Sequence, residues 1–152
     1  MSGAAILECK ENQVIVRQGD TEKSLYKVIS GSVALYINYK RKDEYLVGVL
    51  SFPKCFGEIT LLTGEPSYYT VVALSDVSVL RVPEENFEAF IQADPQNAMN
   101  LMKTMARNFS MVNMNMNMLI EDIREISEED QSLKEVLNSV LQMQNIYYTE
   151  EK

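Results

Sequence analysis

The apolar residues of this chain change their period at Pro83, and that change sets the gross architecture. Before it they come in short runs rich in valine, isoleucine and tyrosine. Val14-Ile15-Val16 precedes Gln18-Gly19-Asp20, Leu25 to Ile29 precedes Ser30-Gly31-Ser32, and Tyr45 to Leu50 follows the polar turn Lys40 to Asp43. Val33, Leu35 and Ile37 alternate with Ala34, Tyr36 and Asn38, while Val71 to Leu74 and Val77 to Val82 flank Ser75-Asp76. Apolar runs of this length between turn signals read as strands, and strands at this spacing as an all-β roll or barrel.

After Pro83 the pattern is helical. Glu84 and Glu85 suit a first turn, where unpaired N–H groups and the helix dipole favour anions, and Phe87, Phe90 and Ile91 form the apolar face. Asp94 as N-cap and Pro95 in the first turn open a second helix. From there the apolar positions step by four and three through Ala98, Met102, Met105, Phe109, Val112, Met116, Leu119, Ile123 and Ile126. A stripe kept in one place by a 3.5-residue period is the seam of a helix that pairs with another helix. Packing on the chain's own β-roll is the competing reading, but a stripe so long and narrow outruns what a small roll can cover. Met114 and Met118 lie off the seam, because helix neighbours two residues apart diverge. They widen the contact or fill a core, with a methionine-rich groove as the functional alternative. Ser127-Glu128-Glu129-Asp130 reads as an N-cap that breaks the helix, with Leu133, Val136, Leu137, Val140 and Leu141 on the next apolar face. Leu133, Leu137, Val140 and Tyr147 also stay in phase with the earlier seam, which keeps one continuous helix open.

The composition excludes several functions. Asp and Glu number 22 against 14 Lys and Arg, a formal net charge of -8, which repels nucleic-acid phosphates and anionic membranes. The one tight basic spot, Lys40-Arg41-Lys42, reads as a solvated hairpin loop. There is no histidine, the commonest general base and metal ligand, and Cys9 and Cys55 are too few for a tetrahedral zinc site. With no nucleophile–base pair visible by spacing, no catalytic residue and no metal site are expected, and the chain is not expected to be an enzyme. Two cysteines without a secretory signal, and no apolar stretch near the ~20 residues of a membrane span, point to the cytoplasm.

The stretch that carries function runs Phe56-Gly57-Glu58-Ile59-Thr60-Leu61-Leu62, then Pro66-Ser67-Tyr68-Tyr69-Thr70-Val71-Val72-Ala73. Gly57 permits close backbone approach. Ile59 to Leu62 suits a helical turn whose free N–H groups face an anion, and Glu58 offers a carboxylate to sugar hydroxyls. Gly57, Glu58, Ile59, Ser67, Tyr68, Tyr69 and Thr70 are therefore the candidate ligand-binding residues.

These residues resemble the cyclic-nucleotide-binding domain, and specifically the sensor half of the catabolite activator (cyclic-AMP receptor protein) family. The resemblance covers roughly residues 10 to 126. It rests on Gly19-Asp20, Leu25-Tyr26, Ser30-Gly31-Ser32-Val33, Phe56-Gly57-Glu58, Leu61-Leu62, Thr70-Val71-Val72-Ala73, Val79-Leu80-Arg81-Val82 and Phe87, with Asn12 in place of a turn glycine. It implies a double-stranded β-helix (jelly-roll) followed by a long dimerisation helix and a further helix. The expected divisions are a β-roll sensor over 1–94, the long helix over 95–126, and a C-terminal helix and tail over 127–152.

In that family the glutamate of the FGE motif binds the ribose 2′-hydroxyl, and Glu58 matches it. The loop arginine that binds the cyclic phosphate is replaced by Ser67, the small residues after it by Tyr68 and Tyr69, and the usual Gly-Asp pair by Pro53-Lys54. A buried phosphate requires a paired cation, and losing such a bond costs roughly 1.5–3 kcal/mol. Three readings stay open: a pocket filled by the tyrosine rings, a less charged ligand held by Glu58 and backbone amides, or weak cyclic-nucleotide binding with Lys54 or a partner residue as the cation. No cofactor is required, and a cyclic nucleotide or another small ligand is the candidate occupant. The family's long helix also relays ligand state to a DNA-binding winged helix. Ser132 to Met143 resembles that domain's opening helix, but no helix-turn-helix follows in this sequence, so direct nucleic-acid binding is not expected. The resulting expectation is a homodimeric regulatory module, with a scaffold that partners another protein as the alternative.

Overall fold

The computed structural model describes residues 3–126, 132, 134–136 and 138–142. Eight strands precede the long helix: β1 Ala5–Cys9, β2 Val14–Val16, β3 Ser24–Ser30, β4 Ser32–Ile37, β5 Tyr45–Ser51, β6 Cys55–Phe56, β7 Thr70–Ala73 and β8 Val77–Pro83. They form two four-stranded sheets, ordered β1-β8-β3-β6 and β2-β7-β4-β5, with every pairing antiparallel. The expected jelly-roll is the observed fold. The sequence reading omitted β1 and β6, and the remaining strands fall within a residue or so of where the apolar runs placed them.

The inward side chains make one core of Val28, Val33, Leu35, Phe56, Val71, Ala73, Val77 and Val79, each at most 7% exposed. Turns close where the backbone demands left-handed φ. Asn12 takes φ 65, where asparagine replaces glycine at small cost. Gly31 takes φ 74, and a Cβ there would stand 2.5 Å from the Asp76 carbonyl oxygen.

Three helices follow the same chain order: α1 Glu58–Thr63, α2 Glu84–Ala93 and α3 Pro95–Ile126. Asp94 opens α3 as expected, its Oδ1 accepting from the Gln96 amide at 3.0 Å. A second cluster joins α1, α2 and the start of α3 to the sheet: Leu25, Leu61, Val82 and Leu101 are buried, with Leu80, Phe87 and Phe90 against them.

The chain divides into two compact units, residues 1–102 and 103–152. The first holds the roll, α1, α2 and the opening turns of α3. In the second, the seam stands open: Met105, Phe109, Val112 and Leu119 are 40–59% exposed, and Met116 and Ile123 half-buried. In the first unit Met102 is exposed and Ala98 half-buried. Met111, Met114 and Met118, off the seam, are exposed as well. Residues 134–136 and 138–142 are helical, but the break or continuation expected at Ser127 lies outside the described residues. Among the described residues no helix is long and apolar enough to cross a membrane.

Candidate functional site

The cavity lies within the roll, and Ser67 fixes one wall of it. Ser67 lies in the loop between α1 and β7 and is laced to a distant loop by reciprocal backbone bonds. The Gly19 amide donates to the Ser67 carbonyl, and the Ser67 amide to the Asp20 carbonyl, both at 2.8 Å. The Ser67 hydroxyl donates to the Tyr69 carbonyl at 2.9 Å. Thr70 Oγ1 accepts from the Gln18 amide at 3.0 Å, tying the same loop to the strand.

The opposite wall is built at Gly57. Its φ of 86 and its surroundings both exclude a side chain, since a Cβ would stand 2.4 Å from the Ser24 carbonyl and 3.1 Å from the Tyr26 ring. That close approach brings Phe56 onto Tyr26, ring centres 5.0 Å apart and nearly parallel. α1 begins at the next residue and has six residues, with Gly57 and Gly64 both left-handed at its ends.

The cavity is lined by Asp20, Glu22, Ser24, Tyr26, Thr60 and Tyr69, together with Ile15, Val16, Phe56, Gly57, Ser67 and Val71, and its volume is about 20 Å³. That is room for about one water molecule. Of the candidate residues, Gly57, Ser67 and Tyr69 line it. Thr70 is buried in the strand and Ile59 half-buried in α1. Tyr68 is 54% exposed and does not line the cavity, which corrects the expectation that both rings occupy it: the two rings part at the bend that precedes β7. Lys54, the candidate replacement cation, is exposed and does not line the cavity, and its carbonyl accepts from the Val28 amide at 2.9 Å.

The lining residues include two carboxylates and no lysine or arginine. Asp20 Oδ2 accepts from the Arg17 amide at 2.8 Å. Glu22 accepts from Ser24 Oγ at 3.2 Å and pairs with Arg81. Arg81 neutralises Glu22, which leaves the Asp20 carboxylate as the uncompensated charge of the lining, so an anion there would meet no charged donor. The sequence reading gave no site role to Asp20, Glu22, Ser24 or Tyr26. The signals for them were Gly19-Asp20 and Leu25-Tyr26, matched as pieces of the family pattern without a site role; the place of Asp20 opposite Ser67 is set by tertiary backbone pairing.

Glu58 is buried at 6% exposure behind the lining, and its Oε2 has no hydrogen-bond partner. Burial pushes its carboxyl above the usual range, partly offset by its own backbone amide. Tyr69, desolvated and facing the Glu58 charge, is pushed up to about 12. A carboxyl raised in the folded state keeps a proton that the unfolded chain has lost, so stability falls as pH rises above the unfolded value near 4.5. Glu58→Gln keeps the shape and removes the charge. Its melting temperature is expected to exceed that of the parent by about 2–4 °C at pH 7. The gap should close as the pH approaches about 4, which calorimetry at the two pH values checks.

Comparison with known proteins agrees with this geometry. Residues 6–94 match the family model described as the cyclic nucleotide-binding domain. The chain is 30% identical over 102 residues to mouse patatin-like phospholipase domain-containing protein 6, covering 66% of this chain and 8% of that one. It is 30% identical over 96 residues to the global nitrogen regulator of Nostoc sp., covering 62% of this chain and 43% of the regulator. The crystal structure of the Thermus thermophilus catabolite activator protein superposes with a TM-score of 0.70 at 28% identity, over 80% of this chain and 57% of that one. The chain thus spans less than half the length of these two curated relatives, and its match to the phospholipase protein covers only a small part of that protein. With the antiparallel roll, the Phe56-Gly57-Glu58 turn and the family match over residues 6–94 in agreement, the chain belongs to the cyclic nucleotide-binding domain family.

Proposed function

We propose that this chain is a non-enzymatic regulatory module that acts as a homodimer through α3 and whose pocket does not take cyclic nucleotides in the ordinary way. The observation that carries the second half is the cavity lining. It holds Asp20 and Glu22, no cation, and the Tyr69 ring, with room for about one water. A cyclic phosphate in that place would meet like charge and no charged donor. The observation that supports the first half is the open seam, where Met105, Phe109, Val112 and Leu119 stay 40–59% exposed along an unbroken heptad. Any signal would be a change in the pairing of the two α3 helices, driven by a ligand that prefers one arrangement.

The unpartnered Glu58 Oε2 supports a second reading, a small uncharged ligand that brings a hydroxyl or amide donor once Tyr69 swings aside. A thermal-shift screen separates the two. Cyclic AMP and cyclic GMP at millimolar concentration are expected to leave the melting temperature within about 1 °C, because only a ligand that binds the folded state raises it. A clear shift with either nucleotide overturns the proposal, and a shift confined to neutral polyols or amides selects the second reading.

A further inference from the structure

The joint between α2 and α3 is fastened to the roll by one cation. Lys27 sits in β3 between the buried Tyr26 and Val28, in register with Cys55 of β6 and Leu80 of β8. Its ammonium donates to Asn97 Oδ1 at 2.9 Å in partly buried surroundings. The same nitrogen lies 5.9 Å from the centre of the Phe90 ring. Asn97 in turn donates through Nδ2 to the Phe90 carbonyl at 3.3 Å, and its amide bonds the Asp94 carbonyl at 2.9 Å. One side chain of the sheet thus reaches the last turn of α2 and the first turn of α3, on either side of the extended Asp94.

The other fastenings lie away from the joint: Leu101 of α3 is buried in the second cluster, and in the first turn of α2 Glu84 pairs with Lys23 at 3.0 Å and its amide donates to the Lys23 carbonyl at 3.0 Å. No residue of α2 is fully buried, and its apolar grip on the sheet is the half-buried Phe87 and Phe90. An element with so few buried apolar groups opens at low free energy unless a specific bond closes it. A charge-assisted bond, shielded from water and backed by a ring face, is the stronger kind. Lys27 also stands next to the cavity wall. Its partner Cys55 immediately precedes Phe56-Gly57-Glu58, and the Cys55 thiol feels both the Lys27 ammonium and the Glu58 carboxylate.

We propose that Lys27 is a polar clasp that fastens the α2–α3 joint to the roll, so that releasing its ammonium frees the joint while the roll stays folded. Hydrogen exchange read by mass spectrometry tests it on the full chain. Lys27→Met keeps the length of the side chain and removes the charge. Exchange in peptides covering 86–98 is expected to rise about tenfold, while peptides of β3 and β8 stay unchanged. Asn97→Leu cuts the same link from the helix side and also the Asn97 bond to the Phe90 carbonyl, so its rise should be at least as large, which keeps the test alive if the lysine variant fails to fold. The double variant should exchange no faster than Asn97→Leu alone, because the Lys27–Asn97 bond is already gone there. Unchanged exchange over 86–98, an equal rise across the whole roll, or full additivity in the double variant overturns the clasp.

Discussion

Aspartate at both Phe109 and Val112 is expected to turn the proposed dimer into a monomer. Both side chains lie on the seam and are 58% and 56% exposed in the single chain, so the substitutions disturb no monomer core. Each places a charge where a facing helix would exclude water, and truncating a central seam residue costs about 2 kcal/mol or more. Two such sites weaken association by roughly 4 kcal/mol, about a thousandfold in Kd. The intrinsic helix cost of aspartate is below about 0.7 kcal/mol per site, so circular dichroism should change little. Sedimentation equilibrium at micromolar concentration reads the outcome. Met111→Asp with Met118→Asp is the matched control. Those methionines are as exposed as the seam residues but lie off the seam, so the dimer should survive their loss. A parent chain that sediments as a monomer, or a control that dissociates as readily as the seam variant, rules the seam out as the dimer interface.

The parts legible from sequence were those in which neighbours along the chain settle the structure. Alternation at Val33, Leu35 and Ile37 is enough for β4, and Asp94-Pro95 for the start of α3 at Pro95. β1 was missed because Ala5–Cys9 holds only the adjacent pair Ile6-Leu7 between small and polar residues, with no alternation to mark a strand. β6 was missed because two residues, Cys55 and Phe56, carry no period at all. At the site the same limit applies. Gly57 and Ser67 are marked by type and position. Asp20 and Glu22 face Ser67 only because the Gly19 and Ser67 amides exchange bonds across the fold. Tyr68 and Tyr69 look equivalent in sequence, and the bend before β7 separates the ring in the cavity from the ring in solvent. Charge was the deepest omission: the loss of one arginine was visible, whereas the carboxylate lining that makes the loss consequential was not.

That lining determines how the pocket should respond to repair. Ser67→Arg alone is expected to leave the chain blind to cyclic AMP. The new guanidinium would emerge beside Asp20 and Glu22, pair with one of them, and find Tyr69 still in the cavity. Combining it with Tyr68→Ser and Tyr69→Ala removes the ring and restores a small-residue loop, leaving Glu58 Oε2 unpartnered and ready for a sugar hydroxyl. Regaining the charged bond is worth roughly 1.5–3 kcal/mol, at least tenfold in affinity, beyond the space that is opened. At a hundredfold excess of cyclic AMP over its Kd, the triple variant should gain about 2.7 kcal/mol of stability, a rise of about 5–10 °C in melting temperature. Calorimetric titration of the parent, the single and the triple variant measures all three. Recovery by the single variant would show that the carboxylates leave the arginine free and that Tyr69 is no barrier. Failure of the triple variant would assign the block to the acidic wall, and adding Asp20→Asn to it should then restore binding, since the Gly19–Asp20 backbone bonds that shape the loop do not involve the Asp20 side chain.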